Sequence, residues 1–196
     1  MREFELKKDN SFLNLPNLIT LLRIGLIPIF LWLILTKKVL LALLIFLLAG
    51  VSDLLDGLFA RLLKKKTKIG AFLDPAADKL LMTASYIVLS IPYSNSPNLI
   101  PLWLTATVIS RDLIIVFGAL VVYRKTGHTT FLPSSLGKIS TVFQVGTVLL
   151  VLFYNYLQIS PPYLKWIFYL TLVFTFLSCI NYVIIGFNLV SSPQKG

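Results

Sequence analysis

Apolar residues gather in six long runs, each bounded by charge, proline or glycine. They are residues 18–35, 39–63, 71–91, 99–123, 136–157 and 163–190. A bilayer core about 30 Å thick is crossed by roughly 20 residues of helix, so every run is close to a spanning length. No small-residue cleavage site follows the first run and the second begins almost at once, so the first is expected to stay in the mature protein rather than act as a signal peptide. Ahead of it, Phe4, Leu6, Phe12, Leu13 and Leu15 mix with Lys7, Lys8 and Asp9. That mixture suits either a short interfacial helix ended by Pro16 or a disordered polar leader. The expected architecture is an all-α integral membrane protein with a leader (1–17), one domain of six transmembrane helices (18–190) and a short tail (191–196).

Composition supports that reading. The chain is 57% hydrophobic and 13% charged, where a soluble domain carries about 25% charged residues. Its net charge of +10 comes from lysines and arginines that lie mostly in the breaks between apolar runs. An anionic membrane surface or anionic substrate is therefore the expected partner, and nucleic acid is not. Twelve of these cations fall in the N-terminal segment, the second and fourth breaks and the tail, against three (Lys37, Lys38 and Lys165) in the alternate breaks. The positive-inside rule then puts both termini in the cytoplasm. Cys179 is the lone cysteine, which leaves no disulfide framework or cysteine-based metal site.

The acidic residues are the next signal. Three of the eight lie in the leader, and the other five, Asp53, Asp56, Asp74, Asp78 and Asp112, lie at or inside apolar runs. A carboxylate within a span costs about 2.5–3.5 kcal/mol on insertion scales and commonly marks a functional site. Asp53 and Asp56 are about 60° apart on a helical wheel, with Gly57 and Ala60 on the same side; Asp78 lies one turn beyond Asp74. Two such pairs near the cytoplasmic ends of consecutive antiparallel helices can converge on one point. Four close carboxylates need a cation between them, and oxygen-only ligands favour Mg²⁺ or Mn²⁺ over zinc. The structural alternatives are salt bridges to Arg61, Lys79 or the 64–68 lysine cluster, and small-residue packing for Gly57 and Ala60.

Asp53-x-x-Asp56-Gly57-x-x-Ala60-Arg61, eight residues, then Gly70-x-x-x-Asp74-x-x-x-Asp78 resembles the signature of the CDP-alcohol phosphatidyltransferase family at every fixed position. The resemblance implies transfer of a phosphatidyl group from CDP-diacylglycerol to an alcohol with release of CMP, in the cell inner (cytoplasmic) membrane, by a homodimer. It implies that Asp53, Asp56 and Asp74 hold a pair of divalent ions, Mg²⁺ or Mn²⁺, and that Asp78 contacts metal and acts as general base. The residues alone do not separate Asp78 from Asp74 as the base. By the same resemblance Gly57, Ala60 and Arg61 border the nucleotide, and Asn17 and Thr20, with Arg23 on one face of the first span, meet the cytidine diphosphate. Helix capping by Asn17 and interface anchoring by Arg23 is the alternative. Thr67, between the aspartate pairs, offers a hydroxyl to a phosphate or is simply a loop residue.

Arg111 lies well inside the fourth run and needs a partner there: a phosphate of the substrate, an aspartate of the site, or Asp112. Lys138 enters the fifth run from the same side, and Arg124 is a third cation for a phosphorylated acceptor. Ile109-Ser110-Arg111 and Leu136-Gly137-Lys138, with Thr141 and Gln144, resemble the branch of the family whose acceptor is glycerol 3-phosphate. The Ser110-Arg111-Asp112 form looks more like the CMP-forming branch whose acceptor is phosphatidylglycerol. A different class, a cation-coupled transporter, is disfavoured because the acids cluster near one membrane face.

Overall fold

The computed structural model describes residues 15–63, 68–92, 96–126 and 134–191; within them the side chains of 15–20, 53–63, 68–76, 123, 125, 126 and 189–191 are outside the description. Six helices account for almost all of it: α1 (Leu15–Leu35), α2 (Val39–Leu63), α3 (Lys68–Ser90), α4 (Leu102–Thr126), α5 (Ser135–Leu157) and α6 (Leu164–Ser191). Among the described residues there are no strands. Each apolar run is a helix, with ends displaced by three residues or fewer. Pro16 sits in the first turn of α1. A proline is tolerated there because the first N–H groups of a helix have no intrahelical partner to lose. The leader expected over 1–14 lies outside the described residues.

Helix ends are closed by identifiable groups. Ser134 caps α5, its Oγ accepting from Gly137 N at 3.0 Å, an arrangement worth about 1 kcal/mol. Lys37 and Gln158 adopt left-handed conformations, φ 62° and 56°, and end α1 and α5. The amide after each reaches back five residues, Lys38 N to Leu33 O at 2.8 Å and Ile159 N to Tyr154 O at 3.1 Å, satisfying carbonyls that the helix leaves open.

The helices pack with α6 against α4 and α5, α1 against α2 and α3, and α3 and α5 in contact with each other. Phe30, Phe46, Tyr86, Leu104, Val148, Val151 and Leu152 form part of a shared core. The outer surface is apolar too: Trp32 (56% exposed), Leu102 (69%), Val142 (69%) and Phe187 (72%) face outward with many other large side chains. Such a surface is tolerated when lipid rather than water covers it. Among the described residues three helices, over Leu102–Val122, Ser135–Leu157 and Leu164–Asn188, are long and apolar enough to cross a membrane; Leu21–Leu35 and Val39–Ser52 are shorter apolar stretches.

Because lipid tails are as apolar as leucine, burial does little to hold such helices together, and interhelical packing and hydrogen bonds matter more. A polar seam joins α5 to α6. Gln144 Nε2 donates to Ser140 Oγ and Thr175 Oγ1, both at 3.2 Å, and the Thr147 and Thr171 hydroxyls bond at 2.8 Å. Tyr86 of α3 donates to Gln144 O at 3.2 Å. At the opposite end, buried Asn98 and Asn155 exchange three hydrogen bonds of 2.9–3.1 Å and fasten the loop before α4 to the end of α5.

Candidate active site

The starts of α3 and α5 and the ends of α4 and α6 lie toward one end of the bundle, because consecutive helices run up and down. A cavity of about 230 Å³ opens between these four elements. Its lining includes Asp78, Lys79 and Met82 of α3, Arg111 and Asp112 of α4, Gly137, Lys138, Thr141 and Gln144 of α5, and Tyr182 of α6. Three residues singled out from the sequence, Asp78, Arg111 and Lys138, thus meet in one space although 60 positions separate the first from the last.

Arg111 is buried, 6% exposed. Its Nη1 donates to Asp112 Oδ1 at 2.7 Å and its Nη2 to Ser178 Oγ of α6 at 2.8 Å. The ring of Tyr182, one turn beyond Ser178, lies 5.6 Å from the guanidinium carbon, within range of a cation–π attraction. Nε is buried with no hydrogen-bond partner among the described residues. An unmet buried donor carries a desolvation cost of about 1–3 kcal/mol; Nη1 and Nη2 each carry a second N–H beyond the bonds to Asp112 and Ser178, and these give the guanidinium its capacity for an anion. Asp112 Oδ1 also receives Lys79 Nζ at 2.8 Å. Lys138 is exposed, and no ion pair involves it among the described residues.

The cations Lys79, Arg111 and Lys138 against Asp78 and Asp112 leave the lining with one net positive charge. Such a pocket, small and with convergent donors, suits a small anionic ligand rather than a bulky apolar one. Gly137 permits the close packing: a Cβ there would fall 2.6 Å from Tyr182 Oη.

The other expected residues fall elsewhere. Asp53, Asp56, Gly57, Ala60 and Arg61 lie on α2 toward its C-terminal end and Asp74 on α3, but their side chains are outside the described residues, as are those of Asn17 and Thr20; Thr67 is outside altogether. Among the described residues no three His, Cys, Asp or Glu groups come together to hold a metal. Arg124 lies in the last turn of α4, exposed, and is not part of the cavity lining. Arg23 is fully buried, which rules out its alternative reading as an anchor at the membrane surface. Sequence reasoning did not assign Lys79, Ser178 and Tyr182 to the site. Thr171, Thr175, Ser178 and Tyr182, spaced four, three and four residues apart along α6, form a narrow polar stripe on one helix face that was the available signal.

Comparison with known proteins agrees with this chemistry. A "CDP-diacylglycerol–glycerol-3-phosphate 3-phosphatidyltransferase" of Bacillus subtilis (strain 168) is 34% identical over 182 residues, covering 84% of this chain and 91% of the relative. A "Probable cardiolipin synthase (CMP-forming)" of Drosophila melanogaster is 32% identical over 208 residues, and a "Cardiolipin synthase (CMP-forming)" of Rattus norvegicus is 41% identical over 126. The matches cover 96% and 64% of this chain, but only 62% of the fly protein's length and 39% of the rat protein's. The sequence model for CDP-alcohol phosphatidyltransferase matches residues 13–177, a stretch that includes all four signature aspartates and the cavity-lining residues of α3, α4 and α5. The chain therefore belongs to the CDP-alcohol phosphatidyltransferase family.

Proposed function

We propose that the protein transfers the phosphatidyl group of CDP-diacylglycerol to glycerol 3-phosphate, forming phosphatidylglycerophosphate and releasing CMP. The observation that carries this reading is the cavity in which Asp78 shares one space with Arg111 and Lys138. The acceptor hydroxyl attacks the phosphatidyl phosphorus; its oxygen–phosphorus bond forms as the phosphoanhydride bond breaks, and CMP departs with the bridging oxygen. Asp78 takes the hydroxyl proton, a role that needs only hydrogen-bond reach of that oxygen. Arg111 and Lys138 bind the acceptor's phosphate in this reading, with Arg124, exposed in the last turn of α4 and outside the cavity lining, as a third cation.

Asp53, Asp56, Asp74 and Asp78 hold two divalent ions in this reading, and Asn17, Thr20, Gly57, Ala60, Arg61 and Thr67 border the nucleotide. The donor set is carboxylate oxygen throughout, which suits Mg²⁺ or Mn²⁺. Bound ions of this kind offset pyrophosphate charge and align attacking and leaving oxygens. The twelve-to-three division of cations supports N-in, C-in insertion with the site facing the cytoplasm. Homodimeric assembly is part of the same reading.

Support for glycerol 3-phosphate comes from the match spanning 91% of the Bacillus relative. The second reading takes phosphatidylglycerol as acceptor, favoured by 41% identity to the rat cardiolipin synthase over 126 residues. Purified protein with CDP-diacylglycerol and Mg²⁺ or Mn²⁺ separates them when glycerol 3-phosphate, phosphatidylglycerol, inositol phosphate and serine are offered in parallel. Lipid product and CMP with glycerol 3-phosphate, and rejection of plain glycerol, are expected. Product with phosphatidylglycerol alone refutes the first reading in favour of the second, and product with serine or inositol phosphate alone refutes both.

A further inference from the structure

Asp112 takes no part in the transfer as written, yet two cations of the cavity lining converge on it. One oxygen, Oδ1, receives Arg111 Nη1 at 2.7 Å and Lys79 Nζ at 2.8 Å, with the side chain only 15% exposed. Lys79 follows Asp78 in α3, and Arg111 precedes Asp112 in α4. A single carboxylate oxygen therefore connects the residue beside the base to the fork that faces the acceptor.

The Arg111–Asp112 contact is not a default of helical geometry. Adjacent residues project about 100° apart and do not face each other on a helix, so the pairing requires Arg111 to hold a committed rotamer. Ser178 and Tyr182 fix the other side of the same guanidinium. What the carboxylate adds is the connection across to α3.

We infer that Asp112 is a positioning residue for the acceptor: its carboxylate sets the separation of Arg111 and Lys79, and so the distance from bound phosphate to Asp78. The assignment rests on the phosphatidyl-transfer reading. It differs from a simple counter-charge in the direction of its effect. A counter-charge opposes anion binding, so removing it tightens the binding of a phosphate. A positioning group holds two cations together, so removing it leaves them to repel one another and weakens that binding.

Asp112→Asn retains the side chain's shape and removes its charge, whereas Asp112→Glu retains the charge at a longer reach. In steady-state assays, Asp112→Asn is expected to raise the KM for glycerol 3-phosphate about tenfold and leave the KM for CDP-diacylglycerol within about twofold. Asp112→Glu should recover part of the loss. Lys79→Met added to Asp112→Asn should worsen it by less than about twofold, because the two residues act as one unit. An acceptor KM that stays the same or falls in Asp112→Asn would overturn the assignment, as would equal rises for both substrates. Calorimetric titration of glycerol 3-phosphate, without donor lipid, reads the same difference without turnover. Wild-type protein that binds it but releases no CMP would refute the transfer reading, while the wild-type to Asp112→Asn affinity ratio would still decide this one. Failure of wild-type protein to bind it at all would overturn both.

Discussion

Alanine at Gly137 tests how the acceptor side of the cavity is assembled. A Cβ at this position would lie 2.6 Å from Tyr182 Oη, 2.9 Å from Tyr182 Cε2 and 3.1 Å from Ser134 Oγ. Unstrained carbon contacts begin at about 3.5 Å, so the tyrosine ring must retreat by roughly 0.5–1 Å. It has little freedom to do so: the Arg111 guanidinium carbon lies 5.6 Å from its centroid, and Oη accepts from Ser134 N at 3.3 Å. Overpacking of this kind costs about 1–3 kcal/mol, and the better helix propensity of alanine returns at most about 1 kcal/mol. The net loss is about 0–2 kcal/mol, centred near 1, and is concentrated where Tyr182 supports Arg111. At about 1.4 kcal/mol per factor of ten, the KM for glycerol 3-phosphate should rise several-fold. Thermal unfolding in detergent, followed by tryptophan fluorescence, should show a lower midpoint. Removing the clashing hydroxyl should relieve part of this, so Gly137→Ala with Tyr182→Phe should be less impaired than the two single losses combined. An unchanged midpoint and KM in Gly137→Ala, or strict additivity in the double variant, would refute the packing argument.

Arg111→Lys keeps the charge but cannot reach Asp112 and Ser178 together, and is expected to raise the acceptor KM at least tenfold in parallel kinetic series, with little change in the donor KM. Asn155→Ala strips Asn98 N and Nδ2 of their shared acceptor and Asn98 O of a donor; a stability loss of about 2–3 kcal/mol should appear in thermal unfolding, with acceptor KM unchanged. Asp53→Ala and Asp56→Ala should each abolish CMP release at saturating Mg²⁺ or Mn²⁺ while the protein remains folded and membrane-inserted, which a radiolabelled CDP-diacylglycerol assay checks directly. Asp78→Asn cannot accept a proton, so kcat should collapse with substrate affinity largely kept; an equal loss of affinity would make Asp78 chiefly a ligand.

Much of the local structure was legible because it is governed by short-range rules. A helix in lipid must satisfy its backbone internally and supply enough apolar residues, so the run at 39–63 could be bounded from the sequence and is the helix Val39–Leu63. The aspartate signature was legible for a similar reason: residues three and four apart share a helix face whatever the helix packs against. What the period of one helix cannot specify is its rotation and depth against another. Arg111 and Lys138 were expected from the sequence to share an anion pocket opposite the aspartates, but that Asp78 lines the same space was decided by how α3, α4 and α5 pack, and Arg124, a candidate of equal standing by charge, lies exposed in the last turn of the same α4. Arg23 could anchor at a surface or be enclosed, and packing enclosed it. Ser178 and Tyr182 were hidden most completely. They continue the polar stripe of Thr171 and Thr175 on an otherwise apolar helix, but the stripe does not name its partner: Ser178 acquires its role from a guanidinium 67 residues away, a contact that exists only because α4 and α6 pack side by side.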